Sequence, residues 1–178
     1  MLMLWRKMLN KTIVEASGAY AIPRQGRSSW LIEVPEEDYK PQKLESLSDV
    51  ELMRPIIQGM FGVVSGKIEN DETPQEALAR EFFEEQGLVI PSSALTNSLP
   101  SPDVWQMRGD KVVKIKAHGH SFTIFNSEID QITQRVRVQR VDDDQLEVYL
   151  RDNWQIIRPA IHGILTLVLQ ELKSGKEI

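Results

Sequence analysis

The 178-residue chain contains no cysteine. Disulfides, zinc–thiolate centres and cysteine nucleophiles are therefore excluded, and a reducing compartment fits. Nor does any apolar run approach the roughly 20 residues of a membrane-spanning helix. A basic stripe is missing too: 21 Lys and Arg stand against 26 Asp and Glu, a net charge of −5, so no nucleic-acid partner is expected. The opening Met1-Leu2-Met3-Leu4-Trp5-Arg6-Lys7-Met8-Leu9 is apolar and basic. It lacks the long apolar stretch and small-residue cleavage site of a signal peptide, and reads as a first strand or packed arm of a cytoplasmic protein with no membrane association. There is no internal repeat, low-complexity tract or composition shift. A chain of this length suits one domain with a real core, and residues 1–178 are read as one.

What the chain does have is an acidic helix with both ends marked. Thr73-Pro74-Gln75-Glu76 is a helix start: a hydroxyl cap, a proline at the first helical position, and a glutamate able to close a capping box. Good helix formers follow through Glu85, and Gly87 suits the left-handed residue that ends many helices. On this helix Glu81, Glu84 and Glu85 stand at i, i+3 and i+4, which puts three carboxylates on one face. They crowd toward the C-terminal end, where the helix dipole disfavours anions. A solvated acidic face is the plain reading. Alternatively, clustered carboxylate oxygens suit a hard divalent cation such as Mg2+, which commonly takes carboxylates together with substrate phosphates.

The remaining elements follow from alternation and breakers. Residues 12–22 are rich in β-branched and small side chains and predict a strand, with a turn at Arg24-Gln25-Gly26-Arg27 and a second strand over 29–34. Residues 36–58 are irregular and read as an insertion, with Ser48-Asp49-Val50-Glu51 able to open a short helix. Gly59 to Val64 forms a short apolar strand feeding Gly66. Leu88-Val89-Ile90 reads as the start of a strand, 104–107 as a short strand, and 111–125 as one long strand or two paired ones. Asn126 to Gln131 leaves the sheet. Residues 134–141 alternate as a strand or an irregular edge, and 146–150 as a strand or the start of a helix. From Ile156 to Leu172, apolar residues recur at three and four, so a closing amphipathic helix is predicted from about Pro159, on the sheet face opposite the acidic helix.

Upstream of the helix the spacing becomes specific. Gly66, five residues, Glu72, seven residues, Arg80-Glu81-Phe82, one residue, Glu84-Glu85, one residue, Gly87-Leu88 resembles the complete Nudix box. Seven of its positions are fixed to one residue type and two are large and apolar. The resemblance implies an α/β fold: a Nudix-like α/β/α sandwich with a mixed β-sheet. It also implies a hydrolase that cleaves the diphosphate linkage of a nucleoside diphosphate derivative with Mg2+ or Mn2+. By that resemblance Glu81, Glu84 and Glu85 are metal ligands, with the Ser65 carbonyl and Glu72 as further candidates. Arg80 orients a glutamate, and Gly66 brings the backbone close to metal and phosphate. Many members carry Pro-Gly-Gly where this chain has Val64-Ser65-Gly66, which bears on loop shape.

Beyond the box the candidates are weaker. Glu128, after a later strand, occupies a place where members carry the carboxylate that activates water; an exposed loop carboxylate is the plain alternative. Trp30 and Phe61, with Trp105 and Tyr20, are candidates for stacking on a base, although strand aromatics are mostly core. His118 and His120 alternate on one strand and face the same way. Lys114 and Lys116 do likewise, with Lys111 on the same strand, and a solvated strand face is their plain reading. Nucleotide sugars of the ADP-ribose type are favoured as substrates over nucleoside triphosphates, and a homodimer is compatible with the family. The rival reading is a nucleotide-sensing module that keeps the fold without catalysis.

Overall fold

The structure is a computed structural model that describes residues 12–33, 42–44, 59–96, 98–108, 111–176 and 178. Its frame is a pair of long strands, β1 (Thr12–Gln25) and β7 (Lys111–Thr123), running parallel in register from Thr12 opposite Lys111 to Arg24 opposite Thr123. The other strands are β2 (Ser28–Glu33), β3 (Gln42–Leu44), β4 (Phe61–Gly62), β5 (Val64–Lys67), β6 (Asp103–Arg108) and β8 (Val138–Asp142). The sheet runs β3-β6-β7-β1-β2-β4, with β5 pairing β1 and β8 pairing β2. Every pairing except β1 with β7 is antiparallel, so the sheet is mixed.

Strand alternation divides the core in two. Ala19 and Ala21 of β1 face a layer containing Leu78, Phe82, Phe122, Ile129 and Ile132. Tyr20 and Ile22 face the opposite way, into a layer with Ile157, Ile161, Ile164, Leu165 and Val168. The first layer is covered by α1 (Pro74–Glu81), which continues as a π-helical turn over Phe82–Gln86, and by α2 (Asn126–Thr133). The second is covered by α3 (Leu146–Asn153) and α4 (Pro159–Lys173). The closing helix thus lies on the face opposite the acidic one, as its apolar stripe requires, and the architecture is the α/β/α sandwich. Phe82 packs edge-on to Phe122, with ring centroids 4.9 Å apart, fixing α1 to β7.

Several local expectations change. Residues 88–90 form no strand: Leu88 and Ile90 are buried and Val89 is exposed, so the alternation reflects which side chains reach the core, with no ladder formed there. Strand β1 runs through Gln25, leaving Gly26 and Arg27 as the turn. Residues 126–133 form a helix rather than only an exit from the sheet, and 146–153 resolve to a helix. Residues 111–123 are one strand. Within the 36–58 stretch Gln42–Leu44 is a strand paired with β6. The rest of that stretch, including Ser48-Asp49-Val50-Glu51, and the Met1–Leu9 segment lie outside the described residues. No helix among the described residues is long and apolar enough to cross a membrane.

Candidate active site at the glycine bend and acidic helix

Strand β5 delivers the chain to the site. Gly66 pairs with Ala19 and therefore faces the α1 side, whereas Ser65 pairs with Tyr20 and faces the other side. A Cβ on Gly66 would lie 2.2 Å from both Cγ and Oε1 of Glu81. Any side chain at this position would displace that carboxylate, so the glycine is required by close approach. From Lys67 the chain turns through Asp71, which adopts φ 67°, and enters α1 at Thr73. The capping box forms: the Glu76 amide donates to the Thr73 hydroxyl (3.2 Å) and the Thr73 amide donates to Glu76 (2.8 Å). At the far end Gly87 takes φ 68°, and its N–H reaches back to the carbonyls of Phe82 and Phe83.

Arg80 organises the carboxylates. Its Nε and Nη2 donate to the two oxygens of Glu72, at 2.9 and 3.1 Å. Its Nη1 donates to Glu81 at 2.7 Å and to Glu84 at 3.3 Å. Nη2 also reaches the Lys67 carbonyl at 3.1 Å. The planar guanidinium can serve all of these at once, which an ammonium cannot. Glu72 in turn accepts from the Glu69 amide at 3.1 Å. It therefore ties the loop to the helix through Arg80.

The electrostatics separate these glutamates. The hydrogen bonds from Arg80 hold the Glu72 carboxyl below the usual carboxylate range. Glu81 is pushed up by burial, against the opposing pull of Arg80. Glu84 is more open, its side chain 55% exposed against 16% for Glu81. Glu85 is exposed on the π-helical turn.

That turn alters the face expected from the spacing. A π turn holds more residues per turn than an α turn, so Glu84 and Glu85 do not stand over Glu81 as they would on a continuous α-helix. Among the described residues no three carboxylate or imidazole groups converge on one point at metal-ligating distances. Instead Glu72, Glu81 and Glu84 gather about a cation that the chain itself supplies, the Arg80 guanidinium. In donor chemistry the set fits a hard divalent ion, since it is all carboxylate oxygen beside a bare backbone bend.

The other candidates lie apart from this cluster. Glu128 is at the start of α2, where its carboxylate accepts from the Phe125 amide at 2.9 Å. Strand β7 ends at Thr123 opposite Arg24, five residues beyond Ala19, about 16 Å along the sheet from Gly66. The Glu128 carboxylate caps its own helix, on the same α1 face of the sheet as the box. Phe61 is buried in the α4-side core, with the Arg137 guanidinium 5.5 Å from its ring. Trp30 packs on the α1-side core. Neither lines the cavity described next. His118 and His120 do share the Gly66 face, opposite Ala19 and Ala21. His118 lies two strand spacings from Gly66, about 10 Å, and His120 is buried.

Two concave features were missed in the sequence. One is a cleft of about 610 Å3 between Ile68–Glu69 and β7, where Lys114 pairs with Asp103 at 3.1 Å and lies 5.7 Å from the Trp105 ring centroid. The other is a cavity of about 440 Å3 between the sheet and the start of α4, with Ser65 and Gly66 at its wall and Gln106 and Arg158 among its lining. Val104-x-Gln106 was the available signal for the cavity. Period-two alternation puts this amide on the inward face, where an apolar residue is expected.

Comparison with known proteins places this geometry. The NUDIX domain family matches residues 30–154. No curated protein matches the chain. Among solved structures, the chain is similar to a MutT protein from Methanosarcina mazei Go1, with TM-score 0.56, 14% identity, and 92% and 97% of the two chains covered. It is also similar to the E. coli ORF135 protein, with TM-score 0.53, 16% identity, and 91% and 94% covered. A third, described as an ADP compounds hydrolase, gives TM-score 0.52 at 16% identity, with 91% and 75% covered. At these identities the likeness is one of fold.

Proposed function

Because the chain belongs to the Nudix family of pyrophosphohydrolases, we propose that it cleaves the diphosphate linkage of a nucleoside diphosphate derivative in a reaction that needs Mg2+ or Mn2+. The observation that carries this reading is the placement of Glu81 against the bare Gly66 backbone by an Arg80 that also grips Glu72 and Glu84.

Each residue then has a task. Glu81, Glu84 and Glu85 would hold the ion, with the Ser65 carbonyl and Glu72 as the outer candidates. The ion supplies charge neutralisation of the diphosphate and a lowered pKa for water. Arg80 keeps the carboxylates aimed, through charge-assisted bonds. Glu72 anchors Arg80 to the loop. Gly66 leaves its peptide unit open to a phosphate oxygen. With Glu128 engaged in capping α2, the proton of the attacking water goes to Glu84 or Glu85; a positioned base of this kind contributes roughly 10²–10⁴ in rate.

Nucleotide sugars of the ADP-ribose type are the favoured substrates, ahead of nucleoside triphosphates. Pro100 and Pro102 lie in the region where members acting on ADP-ribose carry a proline, and one structure of the same fold is described as an ADP compounds hydrolase. A cytoplasmic homodimer is part of this reading. The test is phosphate or nucleoside monophosphate release from a nucleotide panel with Mg2+, for the native chain and for Glu84→Gln and Glu85→Gln. Turnover should vanish in both variants while their circular dichroism is unchanged. Full activity in either contradicts the proposal. Nucleotide-induced thermal shift with no turnover in the native chain would favour the sensing module.

A further inference from the structure

The cleft on the α1 face adjoins the box without belonging to it. Its walls come from β1, β6 and β7 and from Ile68–Glu69, which follow the Gly66 bend. Glu15 and Ser17 share a strand face with Ala19, the partner of Gly66. Lys114 stands opposite Glu15, Lys116 opposite Ser17, and Asp103 opposite Lys116. The Ile68 amide donates to the Ser17 carbonyl at 3.1 Å, which closes the loop onto β1 beside the cleft. Ser17 is two residues along β1 from Ala19, about 7 Å, so a group attached to a phosphate at Gly66 reaches the cleft. The volume of about 610 Å3 is within the range of small-molecule sites. The carboxylates of Glu15, Glu69 and Asp103 outnumber the ammonium groups of Lys114 and Lys116. A further phosphate would therefore meet an excess of negative charge. A neutral polyol meets groups it can use, because each hydroxyl both donates and accepts. Lys116 uses one N–H on the Ser101 carbonyl at 2.9 Å, and an ammonium has three. Lys114 holds the Asp103 carboxylate at 3.1 Å, and a carboxylate has further lone pairs for a hydroxyl.

We propose that this cleft receives the neutral sugar of a nucleoside diphosphate sugar, the moiety on the far side of the diphosphate from the nucleoside. Its hydroxyls donate to Glu15 and Asp103 and accept from Lys116. The excess of carboxylate selects a neutral sugar over a terminal phosphate or the extra phosphates of a dinucleoside polyphosphate. This deepens the function proposed above and rests on it for the position of the phosphate at the box. The choice of the attached group stands on the cleft alone.

The experiment measures binding of ribose 5-phosphate to the full chain by calorimetry with Mg2+ present. Inorganic phosphate is the sugar-free control, and ribose 1,5-bisphosphate adds a second anion. None of these has a diphosphate linkage, so binding is read without turnover. The native chain should bind ribose 5-phosphate about tenfold or more tighter than inorganic phosphate, the worth of two or more ordinary hydrogen bonds, and tighter than the bisphosphate. The variants are Lys116→Met and Glu15→Lys, both at exposed positions and each verified as folded by its thermal melt. Lys116→Met should lose most of the advantage over inorganic phosphate. Glu15→Lys, which reverses the charge excess, should bind the bisphosphate more tightly than ribose 5-phosphate. No advantage of ribose 5-phosphate in the native chain, equal or tighter binding of the bisphosphate there, or native preferences kept in both folded variants overturns the inference. Hydrolysis of nucleotide sugars without this preference defeats the inference alone, and the preference in a chain that hydrolyses no diphosphate defeats the catalytic proposal alone.

Discussion

On the α1 face of the sheet the apolar layer gives way at Gly66 to four ionisable side chains, Glu72, Arg80, Glu81 and Glu84, joined within one loop and helix. On the α4 face the same strands and α4 enclose a cavity of mixed lining, apolar side chains of β7 and α4 beside Gln106 and Arg158. The change from one chemistry to the other occurs between adjacent residues, Ser65 and Gly66, because strand neighbours point to opposite faces. Apolar packing of α4 on the sheet holds most of the cavity face in shape. The charged face holds its shape through a guanidinium fork, and so depends on side-chain geometry that a single conservative change can remove. Substitutions on one face should therefore act on chemistry and on the other on stability.

The largest effect separating the faces is expected at the carboxylates. Glu85→Gln should lower Mg2+-dependent turnover by more than about a hundredfold, beyond the 10–100-fold typical of residues that only support a metal ligand, with the melting temperature unchanged. Gly66→Ala comes next. The new methyl meets Glu81 at 2.2 Å, so turnover should fall steeply, and the overpacking should destabilise by about 1–3 kcal/mol. Arg80→Lys keeps the charge but loses the fork, and should weaken Mn2+ binding by about 10–100-fold in a calorimetric titration. In contrast, Leu165→Ala on the α4 face, where Leu165 is fully buried, should destabilise by about 2–5 kcal/mol in denaturant unfolding while leaving the turnover of folded protein intact. A Leu165 variant that stays stable but loses turnover would break the division between the faces.

The smallest effect concerns pH. Burial, with the neighbouring His118 charge, holds the His120 imidazole below its ordinary value. The unfolded chain therefore takes up this proton at a higher pH than the folded one. Stability from the neutral imidazole is complete above about pH 6.5 and is lost as pH falls from there toward the lower folded value. Denaturant midpoints measured between about pH 7 and pH 5 should fall less steeply in His120→Leu than in the native chain.

The sequence made the box helix legible because its signals are local: a capping box at Thr73 and Glu76, a stop at Gly87, and fixed spacing back to Gly66. The α4 stripe was equally plain, and with it the two-layer core. Position within the sheet was not legible. Glu128 looked catalytic from its place after a long strand, yet in the structure its oxygen goes to the Phe125 amide as a cap of its own helix. The π-helical turn at Phe82–Gln86 was hidden too, because Glu81, Glu84 and Glu85 have the same spacing in either helix type. The cavity needed four strands and a helix assembled around it, with only Gln106 on an apolar strand face to hint at it.

The most direct test of the central claim is the anomalous scattering of Mn2+ in a crystal of the native chain. The account expects the strongest peak beside Gly66, coordinated by carboxylates of Glu81, Glu84 and Glu85. A crystal soaked at saturating Mn2+ whose only peaks lie away from these glutamates would contradict it.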